Sequence, residues 1–385
     1  MTDNFHKKPF DESTLIKLEL LRLYVKSWLP VFIEKKEIHW NEIFIYDFFA
    51  GSGMDTVGNF GSPLLILNEL RNYCQSIVDK KLKVKILINE FDQDKIKILQ
   101  TKISNYFTDC RSKNEFNCCE KCSTENNCPF QIRIESKDFK ILFDEIYPSI
   151  LASSKLPRFM FIDQFGIKHV TQEIFQKLTA LTRTDFLFFI SSSFVRRFTE
   201  LDEFNKYLKL SREQFDASQP EHCHRIILNY YQSQISNKSY YLAPFSIKKS
   251  ANIYGLIFGS NNPLGMEKFL DAAWSLDKNT GEANFNIDND RIVKTQQLSF
   301  FPEDNVIQKV DIFEKNLLDW LKKSERDNVE IYLFALTNGM QKKHAKDVLK
   351  KHEKRLIISS KEPIKKGSFY LDYRPTKFIK IKINE

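Results

Sequence analysis

Glycine is scarce in this chain, at 11 residues in 385, and no apolar run approaches the roughly 18–20 residues that cross a bilayer. The sequence also lacks internal repeats, low-complexity tracts and a GxGxxG motif. These absences exclude a membrane-spanning helix and a solenoid, and they argue against a nicotinamide fingerprint. The opening segment "MTDNFHKKPFDEST" has none of the apolar stretch of a signal peptide, so a cytoplasmic protein with no membrane partner is expected. Seven cysteines in such a compartment read as thiols or metal ligands rather than disulfides.

What is present is ordinary globular material, 42% hydrophobic and 28% charged, in a length that predicts two domains. The charge is uneven. Residues 306–385 hold 19 Lys and Arg against 11 Asp and Glu, whereas residues 1–305 hold 39 of each. The whole excess of eight therefore lies in the last fifth of the chain, which points to a polyanion or to a solvated lysine surface.

Leu15, Leu18, Leu21, Val25 and Leu29 recur at helical spacing after a Ser/Thr cap, which predicts an amphipathic helix over 13–35. Short apolar runs follow at 43–49, 84–90, 130–136, 158–165 and 185–193, separated by helix-length segments at 63–78, 94–107, 138–152 and 171–182. Strands without polar alternation, interleaved with helices, indicate a parallel doubly wound α/β sheet. Segments 239–247 and 252–260 read as an antiparallel pair, 265–276 as a helix and 277–305 as a polar linker or surface excursion. The expected domains are an α/β unit over 1–300, interrupted by a Cys-rich insertion at 108–130, and a smaller unit over 306–385.

Four of the eleven glycines fall in "IYDFFAGSGMDTVGNFGSP", residues 45–63. A strand ending at Asp47 and turning at Gly51-Ser52-Gly53 places glycines at the carboxyl edge of a parallel sheet, where ligands approach the backbone. Asp47, Ala50, Gly51 and Gly53 are the residues expected to line that approach. Glu90 closes the second strand, where a carboxylate can accept both hydroxyls of a ribose. Asp138 follows the third and can accept from an adenine amine. This succession is that of class I S-adenosylmethionine methyltransferases, and S-adenosylmethionine is the expected cofactor. The fourth strand ends in "FIDQFGIKH", where Asp163 would accept from an exocyclic amine and Phe165 would stack on its ring. Alternatively, the glycines only turn the chain, Glu90 and Asp138 cap helices, and Asp163 bonds a loop. His169 reads as a helix-start or packing residue.

The chain resembles the three-Cys-motif partner proteins (TcmP). The likeness rests on "LYVKSW" in the first helix, "YDFFAGSG" with the later "GSPLLIL", "FIDQFG" where that family reads "IDPFG", "YGLIFGSNNPLG" and "LTNGMQKKHAKDVLK". It implies a Rossmann-like, methyltransferase-related domain with a carboxyl-terminal winged helix. It further implies a radical-S-adenosylmethionine-like protein partner encoded nearby in bacterial mobile or defence loci. Gln164 departs from the family's proline.

Two further clusters carry chemistry. "CRSKNEFNCCEKCSTENNC" holds Cys110, Cys118, Cys119, Cys122 and Cys128. Cys119-x2-Cys122 is a thiolate knuckle, and Cys110 with Cys128 would complete a tetrahedral zinc site, with Cys118 able to replace a neighbour. An iron–sulfur cluster or free thiols are the alternatives.

Near the end, helices at 311–324, 330–339 and 341–354 and a hairpin over 355–372 follow winged-helix order, with Gly339 in the turn between the last two helices. Its recognition helix would present Lys342, Lys343, Lys346 and Lys350, and its wing tip Lys365 and Lys366, to the phosphates of DNA or RNA. Protein docking is the alternative use. The functional expectation is a methyltransferase acting on or with nucleic acid. A non-catalytic adaptor with a degenerate pocket, or a nuclease or toxin, are the rivals.

Overall fold

Runs rich in Phe, Ile, Leu and Val become the parallel strands of one sheet, the inner ones buried on both faces and the edge run "FQIRIE" leaving Gln131 and Arg133 exposed. The computed structural model describes residues 8–112, 128–201, 206–236, 240–288, 308–365 and 367–384. Strands β1 (Glu42–Asp47), β2 (Lys83–Asn89), β3 (Phe130–Glu135), β4 (Arg158–Ile162) and β5 (Thr184–Ile190) run parallel. β6 (Tyr241–Lys249) and β7 (Asn252–Ser260) form a hairpin, and β7 adds antiparallel to β5. The order β3-β2-β1-β4-β5-β7-β6, reversed only at β7, is the Rossmann-like sheet of class I methyltransferases. The expected α/β class holds.

α1 (Glu12–Ile33) buries Leu18, Leu21, Tyr24, Val25, Trp28 and Leu29. Its cap is Asp11, whose Oδ1 accepts from the Thr14 N–H, two positions before the Ser13 of the Ser/Thr cap expected. Tyr24 packs on Phe159 of β4 and Phe258 of β7. Its hydroxyl and the Trp28 indole both donate to buried Asp185 of β5. Such buried rings each contribute about 1.5–3 kcal/mol, so the helix is held by packing and by a satisfied carboxylate. Helices α2 (Ser62–Arg71), α3 (Gln93–Ser112) and α4 (Phe139–Ala152) follow β1, β2 and β3. Between β4 and β5 runs α5 (Gln172–Ala180).

The chain divides into two units at residue 261, earlier than the expected boundary near 300. The reason is α6 (Pro263–Leu276), which packs with the C-terminal elements. Its Glu267 accepts from the Tyr332 hydroxyl at 2.8 Å, its Asp271 from Gln341 Nε2 at 2.7 Å, and its Trp274 indole donates to Gly339 O. Residues 277–288 are not a free linker. Asp277, Thr280 and Glu282 are buried, Ala283 and Ile287 are core, and Gly281 lies against the Trp274 ring.

The second unit continues with α7 (Lys309–Lys323), β8 (Arg326–Asp327), α8 (Asn328–Thr337), α9 (Lys342–Lys351), β9 (Leu356–Ser360) and β10 (Ile379–Ile383). The sheet order is β8-β10-β9. The partner of β9 is therefore β10, not the 367–372 stretch expected. Ile379, Ile381 and Ile383 alternate inward along β10, whereas Tyr370 and Gly367 adopt left-handed backbone that breaks a strand. Asn328 Nδ2 pins the intervening loop through Tyr370 O and Lys377 O.

Candidate functional site

The carboxyl ends of β1, β2 and β4 bring Asp47, Glu90 and Asp163 to one edge of the first unit's sheet. Gly51, at φ 61°, turns the chain there, and its N–H donates to Glu90 Oε2 at 2.8 Å. The Asp92 N–H takes Glu90 Oε1 at 2.9 Å. Glu90 thus faces the glycine turn, with each oxygen keeping a second lone-pair direction.

Asn89 supports this arrangement, although nothing in the sequence reading singled it out. Fully buried, it donates to Phe48 O and Lys137 O and accepts from the Lys137 N–H, lashing the ends of β1, β2 and β3 together. The Ala50 N–H adds a bond to Asn89 O.

Asp47 is completely buried, and its Oδ1 accepts from the Phe49 N–H at 3.3 Å. Its Oδ2 has no hydrogen-bond partner among the described residues. Burial pushes its carboxyl up to about 7, the Ser62 hydroxyl and the Phe49 N–H pull it back, and the charges of Asp163 and Glu90 add to the rise.

Two of the remaining glycines answer to the protein itself, while Gly58 faces open space. A Cβ on Gly53, at φ 81°, would lie 2.7 Å from Leu99 Cδ1 of α3, and one on Gly61 would lie 3.1 Å from the Gly53 backbone. The direction a Gly53 side chain would take is thus filled by Leu99. Asp55, unremarked in the sequence, holds the rest of the loop through the Val57, Asn59 and Phe10 N–H groups.

Asp138 caps α4, its Oδ1 accepting from the Lys140 and Ile141 N–H groups. Adenine recognition would have to use its other oxygen. His169 is the packing residue expected, set between Phe49 and Phe139, and burial holds its imidazole below the ordinary range.

At the end of β4, Asp163 Oδ2 lies 2.5 Å from Lys17 Nζ, which α1 brings in over the Phe189 ring. Lys17 was not anticipated, because 146 residues separate the partners. Gln164 turns inward, its Oε1 accepting from the His169 and Val170 N–H groups at 2.9 and 3.1 Å, and so shapes the following turn rather than the edge. Phe165 is 89% exposed.

Of the expected zinc ligands, Cys119, Cys122 and the Cys110 side chain lie outside the described residues, as does Cys118. Cys128 is described and half-buried. Among the described residues no group of His, Cys, Asp or Glu is placed to hold a metal ion, and no helix is long and apolar enough to cross a membrane.

In the second unit, α9 buries Ala345, Val348 and Leu349 as expected. Lys343 and Lys350 are exposed and Lys346 is half-buried. Lys342 is spoken for: its Nζ lies 3.0 Å from Glu267 and 3.3 Å from Asp372. Burial opposes its charge, but the two carboxylates hold its pKa above the ordinary value. Lys365 is exposed, and Lys366 lies outside the described residues.

No protein-family model matches the chain, and no curated protein sequence matches it. Among solved structures, Trm1 from Pyrococcus horikoshii in complex with S-adenosyl-L-methionine is similar at 11% identity and a TM-score of 0.34, over 66% of this chain and 58% of that one. The O-methyltransferase from Bacillus cereus in complex with SAH is similar at 12% identity and a TM-score of 0.30, over 65% and 81%. TomG from Streptomyces achromogenes, an O-methyltransferase in complex with SAM, is similar at 9% identity and a TM-score of 0.32, over 66% and 91%. At such scores the likenesses carry no weight of their own, and the strand order carries the fold.

Proposed function

We propose that the first unit binds S-adenosylmethionine at the Gly51 edge and acts as a methyltransferase on or with nucleic acid, and that the second is a winged helix that engages the polyanion. One observation carries the cofactor reading: Glu90, at the end of β2, is aimed by the Gly51 and Asp92 N–H groups at the edge where Asp47 keeps an unpartnered buried oxygen. A ligand rich in hydroxyl and amine donors fits such oxygens. Glu90 would hold the ribose, Asp138 the adenine, and the backbone at Ala50 and Gly51 would form the floor. The bound cofactor supplies an electrophilic methyl group. Asp163 would accept a hydrogen bond from an acceptor amine, and Phe165 offers an open ring for a base. Positioning is the main contribution asked of these groups.

Calorimetry with S-adenosylmethionine and its demethylated product tests the reading. Binding by the wild type that Glu90→Ala abolishes is the expected result, and no binding by the wild type overturns it. The Lys17–Asp163 pair favours a second reading, a non-catalytic adaptor in which Asp163 is already occupied. Cofactor binding without methyl transfer to any nucleic acid would select it.

The element order α7, β8, α8, α9, β9, β10 supports the winged helix, and exposed Lys343, Lys350 and Lys365 with Lys346 support phosphate contact. The TcmP likeness extends the reading to a cytoplasmic protein of a bacterial defence or mobile-element system with a radical-S-adenosylmethionine-like partner. Failure of the two proteins to co-purify after co-expression would remove that partner. Zinc held by Cys110, Cys119, Cys122 and Cys128 belongs to the same reading, and elemental analysis without stoichiometric zinc or iron would remove it.

A further inference from the structure

The three-stranded sheet of the second unit has one face packed and one in water. Register decides which residues share the wet face. Lys382 stands opposite Ile357 and Lys380 opposite Ser359, while Ile381 opposite Ile358 and Ile383 opposite Leu356 turn inward. Continued one residue beyond each strand, the alternation sets Phe378, just before β10, beside Lys380 and Lys382, and Lys361, just after β9, beside Ile357 and Ser359.

A solvated face calls only for polar residues. Here Phe378 is 68% exposed and Ile357 47%, placed among three lysines. Two carboxylates border it: Glu325, which pairs with Lys380 at 3.3 Å and accepts from the Ser359 hydroxyl at 2.9 Å, and Asp327, which stands opposite Lys380 in register and caps α8 through the Glu330 N–H. The loop leading into β10 adds Tyr373, 41% exposed, with the Arg374 guanidinium 5.8 Å over its ring.

We infer that this outer face binds single-stranded nucleic acid, its phosphates along Lys361, Lys380 and Lys382 and an unpaired base on Phe378. Charge complementarity selects a polyanion, since the excess of positive charge falls in this stretch. Among polyanions, flat exposed rings interleaved with ammonium groups select unstacked bases over a duplex, whose bases offer no free face. Stacking and charge are indifferent to the sugar, so DNA and RNA strands bind alike. The surface is separate from α9 and rests on the polyanion reading above.

The test is fluorescence anisotropy of the full chain with labelled oligothymidylate, oligouridylate and a duplex, each about 16 nucleotides long. Phe378→Ala should weaken both single strands about tenfold while Phe378→Trp retains them, and neither should change duplex binding. Lys380→Gln with Lys382→Gln should lower the slope of log affinity against log salt by about 1.4 for single strands. Circular dichroism checks that these exposed substitutions leave the fold intact. If Lys343→Gln, Lys346→Gln and Lys350→Gln abolish single-strand binding while the sheet variants do not, this assignment fails and the polyanion reading stands. If the wild type binds no nucleic acid, both fail. Sheet-dependent binding to phosphatidylserine vesicles with none to oligonucleotides would make the surface a membrane contact and overturn the proposal.

Discussion

The two units treat charge in opposite ways. At the sheet edge of the first, three carboxylates are held by the protein: Glu90 by two backbone N–H groups, Asp163 by Lys17, and Asp47 by burial, with the Phe49 N–H on one oxygen. In the second, Lys343, Lys350, Lys365 and Lys382 stand in water with no carboxylate bonded to them among the described residues. Groups held by fixed dipoles are pre-organised for a ligand that must fit between them. Solvated ammonium groups are suited to a partner recognised by charge along its length. The difference teaches that one region is built to enclose and the other to present.

Acid should separate the two units. Asp47 titrates near 7 when folded because burial and two neighbouring carboxylates oppose its charge. Its raised pKa favours folding below the ordinary carboxylate range, and that advantage is lost as pH rises to 7. His344 of α9, which faces Trp274, is pushed down to about 4 by burial and by Lys343. Its neutral ring favours folding above the ordinary imidazole value of 6.5, and that advantage is lost as pH falls to 4. From pH 7 to pH 4, therefore, Asp47 adds up to about 4 kcal/mol to the first unit and His344 removes up to about 3 from the second. Calorimetric scans of wild type, Asp47→Asn and His344→Gln should show each variant flattening the pH trend of one transition only. An unchanged slope in Asp47→Asn would show that its carboxyl titrates normally.

Asn89→Leu sharpens the same contrast. Three hydrogen bonds between strand ends are lost and backbone groups of Phe48 and Lys137 are left unpaired, a cost of about 3 kcal/mol. Thermal unfolding should move for the first unit alone, with weaker cofactor binding beside it. Gly53→Ala comes next, at about 2 kcal/mol, from left-handed backbone together with the approach to Leu99. Adding Leu99→Ala should recover part of the clash and none of the backbone strain. Full additivity of the two substitutions would show that they do not touch.

These residues also mark how far the sequence could be read. The inner strands were legible because a run such as "RFMFI" permits no exposed face, and alternation with helices then fixed the parallel order. Glu90 was legible because a carboxylate at a strand end next to a glycine turn has a restricted set of partners. Hidden were the residues whose meaning depends on another part of the chain. Lys17 looks like any lysine on an amphipathic helix until α1 crosses to β4. That a side chain on Gly53 would meet Leu99 is equally hidden until α3 packs there. The β10 strand was missed for a local reason: "SFYLD" has strand propensity, and only the left-handed backbone at Gly367 and Tyr370 diverts it.

The smallest effect gives the cleanest comparison of the two regions. Lys17 and Asp163 are 13% and 21% exposed, between a surface pair and a buried one, so Lys17→Met should cost the first unit about 1 kcal/mol. Cofactor affinity should hardly change, since neither group bonds to the Gly51 turn. The matching change in the second unit, Lys343→Met, removes an exposed lysine and should leave stability within about 0.5 kcal/mol. Its effect should instead be on the salt dependence of nucleic-acid binding, lowering the slope by about one. If Lys17→Met altered that slope as well, Lys17 would be a phosphate contact. The carboxyl edge would then present charge just as the second unit does.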